Sequence, residues 1–225
     1  MLTAAHDPSV DSRGALERLC EAYWNPVFSF IRRSGHDQDN AQDLTQEFFA
    51  RMVEKNYLDI ADPERGRFRS FLLTAVKHFL ANQRDRAHAL KRGGGENPVQ
   101  LDEAIADDSR TSPGTRSDTP ESLFERRWAV SLLERAMAKL RAEFASPDRA
   151  RQFERLVPFL NRDSSGERYD ALSEQLGISA GALRVLVHRM RRRYRDLVRA
   201  EIAETVATPE DIDDEIRFLM AVLGS

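Results

Sequence analysis

Cysteine is nearly missing from this chain. Cys20 is the only one in 225 residues, so an intrachain disulfide and a thiolate metal cluster are both excluded. It falls on an apolar stripe, where a buried, inert thiol is expected. No apolar run approaches the roughly 20 residues that span a bilayer. The N-terminus has no basic-then-apolar leader pattern, so a cytoplasmic chain is expected. His6, His36, His78, His88 and His188 never pair with one another or with cysteine at metal-ligand spacing. There is no Gly-x-x-x-x-Gly-Lys-Ser/Thr loop, no nucleophile elbow and no His-Glu-x-x-His motif. Gly93-Gly94-Gly95 lacks the preceding strand and the lysine of a phosphate loop. The acidic pair Asp107-Asp108 lies in a stretch without periodicity, where both carboxylates are expected to be solvated. No catalytic residue, metal ligand or cofactor site is expected, and the chain reads as a protein that is not an enzyme.

Charge is present in quantity but segregated. Charged residues make up 32% of the chain, yet the formal net charge is only -3, so position matters more than the total. Arg184, Arg189, Arg191, Arg192, Arg193, Arg195 and Arg199 face one acid, Asp196, within sixteen residues. The acids Glu201, Glu204, Glu210, Asp211, Asp213, Asp214 and Glu215 follow with no lysine or arginine among them.

Apolar spacing is helical nearly throughout, and strand alternation is almost absent. Leu16, Leu19, Tyr23, Val27, Phe30 and Ile31 predict a helix over 15–33, with Pro26 imposing a kink or dividing it into two abutting helices. A second helix is expected over 40–55, its capping box formed by Asp39 and Gln42. Phe68, Phe71, Leu72, Ala75, Val76, Phe79 and Leu80 mark a third that runs into a basic tail and stops at Gly93. Residues 93–119, rich in Gly, Pro, Asp, Ser and Thr, read as a flexible linker. Thr119-Pro120, Ser146-Pro147 and Thr208-Pro209 each set an N-cap residue before proline at the first helical position. The organisation expected is all-α: a domain over 1–92, the linker 93–119, a second domain over 120–204 and an acidic helical extension over 205–225.

The second domain contains a helix, a turn at Gly177 and a long helix beginning at Ala180, the pattern of a helix-turn-helix. Leu172, Leu176, Ile178, Leu183 and Val187 are its expected core, and Ser179 caps the second helix. Arg184, His188, Arg189 and Arg192 on the outer face suit phosphates and guanine edges in a DNA major groove. The segment from Gly181 to Arg193 resembles the recognition helix of extracytoplasmic-function sigma factors, the small bacterial transcription initiation factors. The resemblance implies upstream promoter element contacts from Ser179, Ala180, Arg184, Val185, His188, Arg189 and Arg192. Family members carry threonine at the position of Ala182 and polar residues at those of Val185 and Leu186.

The first domain carries the same resemblance. Residues 40–51, with Asp43-Leu44-Thr45-Gln46-Glu47-Phe48 at their centre, resemble the family's polymerase-binding helix. That implies contacts from Asp43, Gln46, Glu47, Phe48 and Arg51 to the β′ clamp helices. Residues 62–72 resemble the loop and helix that engage the downstream element and hold a flipped base. Arg65, Gly66, Arg67 and Arg69 would then give backbone access and charge, and Phe68 or Phe71 an aromatic wall. Asn82, Arg84 and Arg86 would touch backbone or duplex. By the same likeness the partners are core RNA polymerase, including its β flap, promoter DNA and in some cases an anti-sigma protein. The chain is expected to be a monomer when free, and Asp102, Glu103, Asp107 and Asp108 of the linker suit the RNA exit path. Two other readings remain at this point: a helix-turn-helix regulator that does not join polymerase, and a helical protein-binding adaptor. The acidic tail is expected to pack on the DNA-binding domain through Ile212, Ile216 and Leu219, either screening its arginines or capping its core.

Overall fold

The computed structural model describes residues 12–54, 67–91, 119–160, 166–206 and 208–224. They form eight α-helices and one 3-10 turn, with no strand among them. The helices are α1 (Ser12–Arg33), α2 (Gln38–Glu54), α3 (Phe68–Lys91), α4 (Pro120–Ala142), α5 (Pro147–Leu156), α6 (Gly166–Leu176), α7 (Ala180–Ala203) and α8 (Pro209–Gly224). The fold is all-α. Residues 93–118 of the expected linker lie outside the described residues.

Helix starts follow local chemistry. The hydroxyl oxygens of Thr119, Ser146 and Thr208 accept from the N–H of Ser122 at 3.1 Å, Arg149 at 3.4 Å and Asp211 at 3.4 Å, each ahead of a first-turn proline. Asp211 reciprocates by accepting from the Thr208 N–H at 3.3 Å, completing a capping box. The cap of α2 is Asp37 rather than Asp39. Its carboxylate accepts from the Asn40 N–H at 2.8 Å, and its carbonyl accepts the first helical bond from Ala41. Pro26 sits within α1, which runs as one helix.

Contacts divide the chain into two units, one formed by the residues up to Ser131 together with those from Ile202 onward, the other by Leu132–Glu201. This differs from a division at the linker. The first turns of α4 belong to the first unit because Phe124 and Trp128 are core residues there. Phe124 meets Phe30 of α1 edge-on at 6.5 Å, and Trp128 meets Phe218 of α8 at 6.1 Å. Lys77 of α3 pairs with Glu121 of α4 at 3.1 Å.

The acidic tail likewise falls in the first unit, not in the second as expected. Its buried residues are Glu215, Phe218 and Leu219, whereas Ile212 and Ile216 are half-buried and Met220 and Leu223 are exposed. The face turned inward is thus rotated from the one the aliphatic residues alone describe, because it carries a carboxylate paired with the buried Arg69 and the partly exposed Arg67.

The second unit closes around Leu140, Phe153, Leu156, Leu172, Leu183 and Val187. Gly177, at φ 64°, makes the turn between α6 and α7, a conformation glycine adopts without a Cβ penalty. The hydroxyl of Ser179 accepts from the Ala182 N–H at 3.2 Å, capping α7. Glu201 is buried yet paired with Arg135 at 2.8 Å and Lys139 at 2.5 Å, which joins the end of α7 to α4.

Candidate functional site

In the first unit α2 is divided sharply into two faces. Ala41, Leu44, Thr45, Phe48, Phe49 and Met52 are buried, and Asn40, Gln42, Asp43, Gln46, Ala50 and Val53 are exposed. Asp43 and Gln46 are therefore presented together on an open, mostly polar surface that also carries Ala50 and Val53. Phe48 is not: it meets Phe79 of α3 edge-on at 5.6 Å and belongs to the core. Glu47 and Arg51 have internal duties as well. They pair with each other, the Gln83 amide donates to Glu47 at 2.7 Å, and the Arg51 guanidinium lies over Phe79 at 5.3 Å. Cys20 is half-buried.

The expected downstream-element residues separate into three groups. Arg65 and Gly66 lie outside the described residues. Phe68 and Arg69 are 2% and 1% exposed, so neither reaches a ligand in this conformation. Phe68 packs edge-on against Tyr23 at 5.3 Å. Arg69 is held by Glu215, donating from Nε at 3.3 Å and from one terminal nitrogen at 3.2 Å. Its other terminal nitrogen is 3.6 Å from Glu125, too long for a hydrogen bond. The guanidinium also lies 3.8 Å from the ring centre of Phe218 and 5.1 Å from that of Trp128. Accessible residues form the third group: Arg67 and Phe71 are partly exposed, Asn82 is half-buried, and Arg84 and Arg86 are exposed.

Two titrating groups respond to this arrangement. Burial raises the pKa of Glu125 above the usual carboxylate range, with Arg69 opposing and Glu121 and Glu215 assisting. Burial also lowers the pKa of His36, with the Arg84 charge assisting and Asp37 opposing.

Glu215 and Glu125 were not foreseen as partners of Arg69, although a signal was present. Arg69 keeps the helical register of Leu72, Leu73, Val76 and Leu80, all buried. A guanidinium in that register calls for a carboxylate elsewhere in the chain that also stands in an apolar register. Glu215, three and four residues before Phe218 and Leu219, meets that condition.

In the second unit, α7 sorts its arginines by angle. At about 100° per residue, Arg184, Arg195, His188, Arg192, Val185 and Arg189 fall within an arc of about 140°, and all six are exposed. Leu183, Val187, Met190 and Leu197 are buried on the opposite side. Arg191, at one margin, donates twice to the carbonyl of Phe159, at 3.0 and 2.6 Å. Arg193, at the other, pairs with Glu143 at 2.6 Å. Both arginines fasten α7 to its own unit. The Arg184 guanidinium rests 5.8 Å from the Tyr169 ring centre. Ala180 is half-buried at the start of the helix, and Ser179 is spent on the cap.

Among the described residues no helix is long and apolar enough to cross a membrane. Comparison with curated proteins and with solved structures found no match. Residues 19–89, which include α2 and most of α1 and α3, match the family model described as Sigma-70 region 2. That match supports a sigma-70 family factor, a transcription initiation factor that acts with RNA polymerase in promoter recognition.

Proposed function

We propose that the chain is a sigma factor of the extracytoplasmic-function type, which binds core RNA polymerase and directs promoter recognition, strand opening and initiation without catalysing a reaction itself. The observation that carries this reading is the region 2 match over 19–89, with an exposed polar face of α2 inside it. Asp43 and Gln46 on that face contact the β′ clamp helices, and Glu47 and Arg51 hold the face against α3. Arg67, Phe71, Asn82, Arg84 and Arg86, with Arg65 and Gly66 of the preceding loop, take the downstream element. In the second unit α6 and α7 act as a helix-turn-helix for the upstream element, through Arg184, Val185, His188, Arg189 and Arg192. The segment 93–119 connects the polymerase-binding part to the upstream reader. Two weak contacts then reinforce each other, because the first makes the second effectively intramolecular. The working location is the cytoplasm, with core polymerase and promoter DNA as partners. An anti-sigma protein is a further candidate, and the free chain is a monomer.

The deciding experiment is transcription in a purified system. Core polymerase plus this chain should yield promoter-dependent transcripts that neither yields alone. Duplex binding without association with core polymerase would instead identify a regulator that works apart from the enzyme.

A further inference from the structure

The C-terminal helix is built into the first unit in a way that bears on its DNA-facing end. Glu215 is 1% exposed on its side chain and serves two arginines at once. Its Oε1 is 2.9 Å from Arg67 Nε and 3.2 Å from an Arg69 terminal nitrogen, and its Oε2 accepts from Arg69 Nε at 3.3 Å. Asp214 adds a contact to Arg67 at 3.4 Å. The Phe68 N–H, one of the donors a helix start leaves unpaired, is 3.4 Å from the Thr205 carbonyl. Phe218 and Leu219 are buried beside these contacts, and Phe218 lies against the Arg69 guanidinium. The first three residues of this stretch, Arg67, Phe68 and Arg69, are therefore all gripped from the C-terminal segment.

We propose that Glu215 is a positioning residue for strand capture: from the C-terminal helix it fixes Arg67 and Arg69 at the start of α3, and so sets the geometry of the end of α3 that engages single-stranded promoter DNA. The proposal rests on the sigma-factor reading above. It assigns Glu215 no contact with DNA. Arg69 transmits the effect as a buried anchor, and Arg67, partly exposed, is the residue whose aim is set. The α2 surface that carries Asp43 and Gln46 lies on a different element, so core binding and strand opening should respond differently to a change at Glu215.

The test begins with the full-length chain and core polymerase, selecting promoter fragments from genomic DNA. Opening is read as permanganate reactivity of thymines on a selected fragment, and core binding by fluorescence anisotropy. Glu215→Gln should keep core binding within about twofold while opening falls by about tenfold or more, since the buried Arg69 guanidinium loses the nearer of its two carboxylates. Opening equal to that of the unaltered chain would overturn the proposal, as would a loss of core binding in proportion to opening. If Glu215→Gln does not fold, Asp214→Asn decides, because Asp214 is partly exposed and touches the same Arg67. A several-fold loss of opening at unchanged core binding supports positioning, and unchanged opening overturns it. An unaltered chain that neither binds core polymerase nor selects a fragment overturns the sigma-factor reading itself, and the proposal falls with it.

Discussion

Replacing Arg69 with methionine tests the buried ion pair in isolation. The substitution keeps most of the side-chain volume and its contacts with Phe218 and Trp128, but leaves Glu215 buried with Arg67 as its remaining partner. Breaking a buried pair by removing one member costs about 3–5 kcal/mol. The surviving contact to Arg67 favours the lower end, so about 3 kcal/mol is expected. For a chain of this size that is a midpoint lowered by about 6–12 °C. Substituting both partners, Arg69→Met with Glu215→Leu, removes the stranded charge and should recover most of the loss, because apolar replacement of a buried pair is often neutral or stabilising. The assay is urea unfolding followed by tryptophan fluorescence. The chain has two tryptophans, Trp24 and Trp128, and both fall in the first unit, so the signal reports that unit and not the other. A single variant within about 1 kcal/mol of the parent, or a double variant no more stable than the single, would refute the argument that these charges compensate each other.

Glu125 should give the first unit a pH dependence. Its raised pKa means that the folded state holds the proton more tightly than the unfolded chain. Stability from this group is therefore complete below the ordinary carboxylate pKa and is lost as pH rises through the folded value. Glu125→Gln should be within about 1 kcal/mol of the parent at neutral pH, and should flatten this component of the pH dependence in parallel urea titrations. For the proposed upstream reader, replacing Arg184, Arg189 and Arg192 together with alanine should reduce the log-log salt slope of duplex binding by about 2.7 if each meets a phosphate; an unchanged slope would remove them from the interface. Gly177→Ala has open space around a new Cβ, so its cost should be the left-handed backbone alone, about 1 kcal/mol. Hydrogen exchange in α6 and α7 would register that loss, and a stability equal to that of the parent would count against the positive φ.

The helices were legible because their signals are local. Proline after an N-cap residue marks the starts of α4, α5 and α8, and Gly177 marks the break before α7. The open polar face of α2 was legible too, since its apolar register is uninterrupted from Ala41 to Met52. Long-range pairing was less visible. Arg69 resembles a DNA contact when read beside Arg65 and Arg67, and only its place in the register of Leu72 and Val76 marks it as buried. Phe68 has two plausible uses in sequence, as a base-stacking wall or as core, and packing against Tyr23 selects the core. The unit boundary inside α4 has no local mark at all. It depends on which partners Phe124 and Trp128 find, and these come from opposite ends of the chain.

The neighbouring basic and acidic blocks invite the idea that one neutralises the other. Their members are instead divided among different partners. Arg191 and Arg193 are consumed by Phe159 and Glu143, while Arg184, Arg189, Arg192 and Arg195 remain exposed. Glu201 compensates Arg135 and Lys139 within the second unit, and Asp214 and Glu215 compensate Arg67 and Arg69 within the first. A modest net charge thus coexists with an exposed cationic arc, because several acids that balance the total are committed to arginines and lysines other than those on the arc. The same division explains why the C-terminal helix bears on the first unit rather than on its sequence neighbour. Its buried carboxylate can leave water only where buried guanidinium is already waiting, and Arg69 supplies that site.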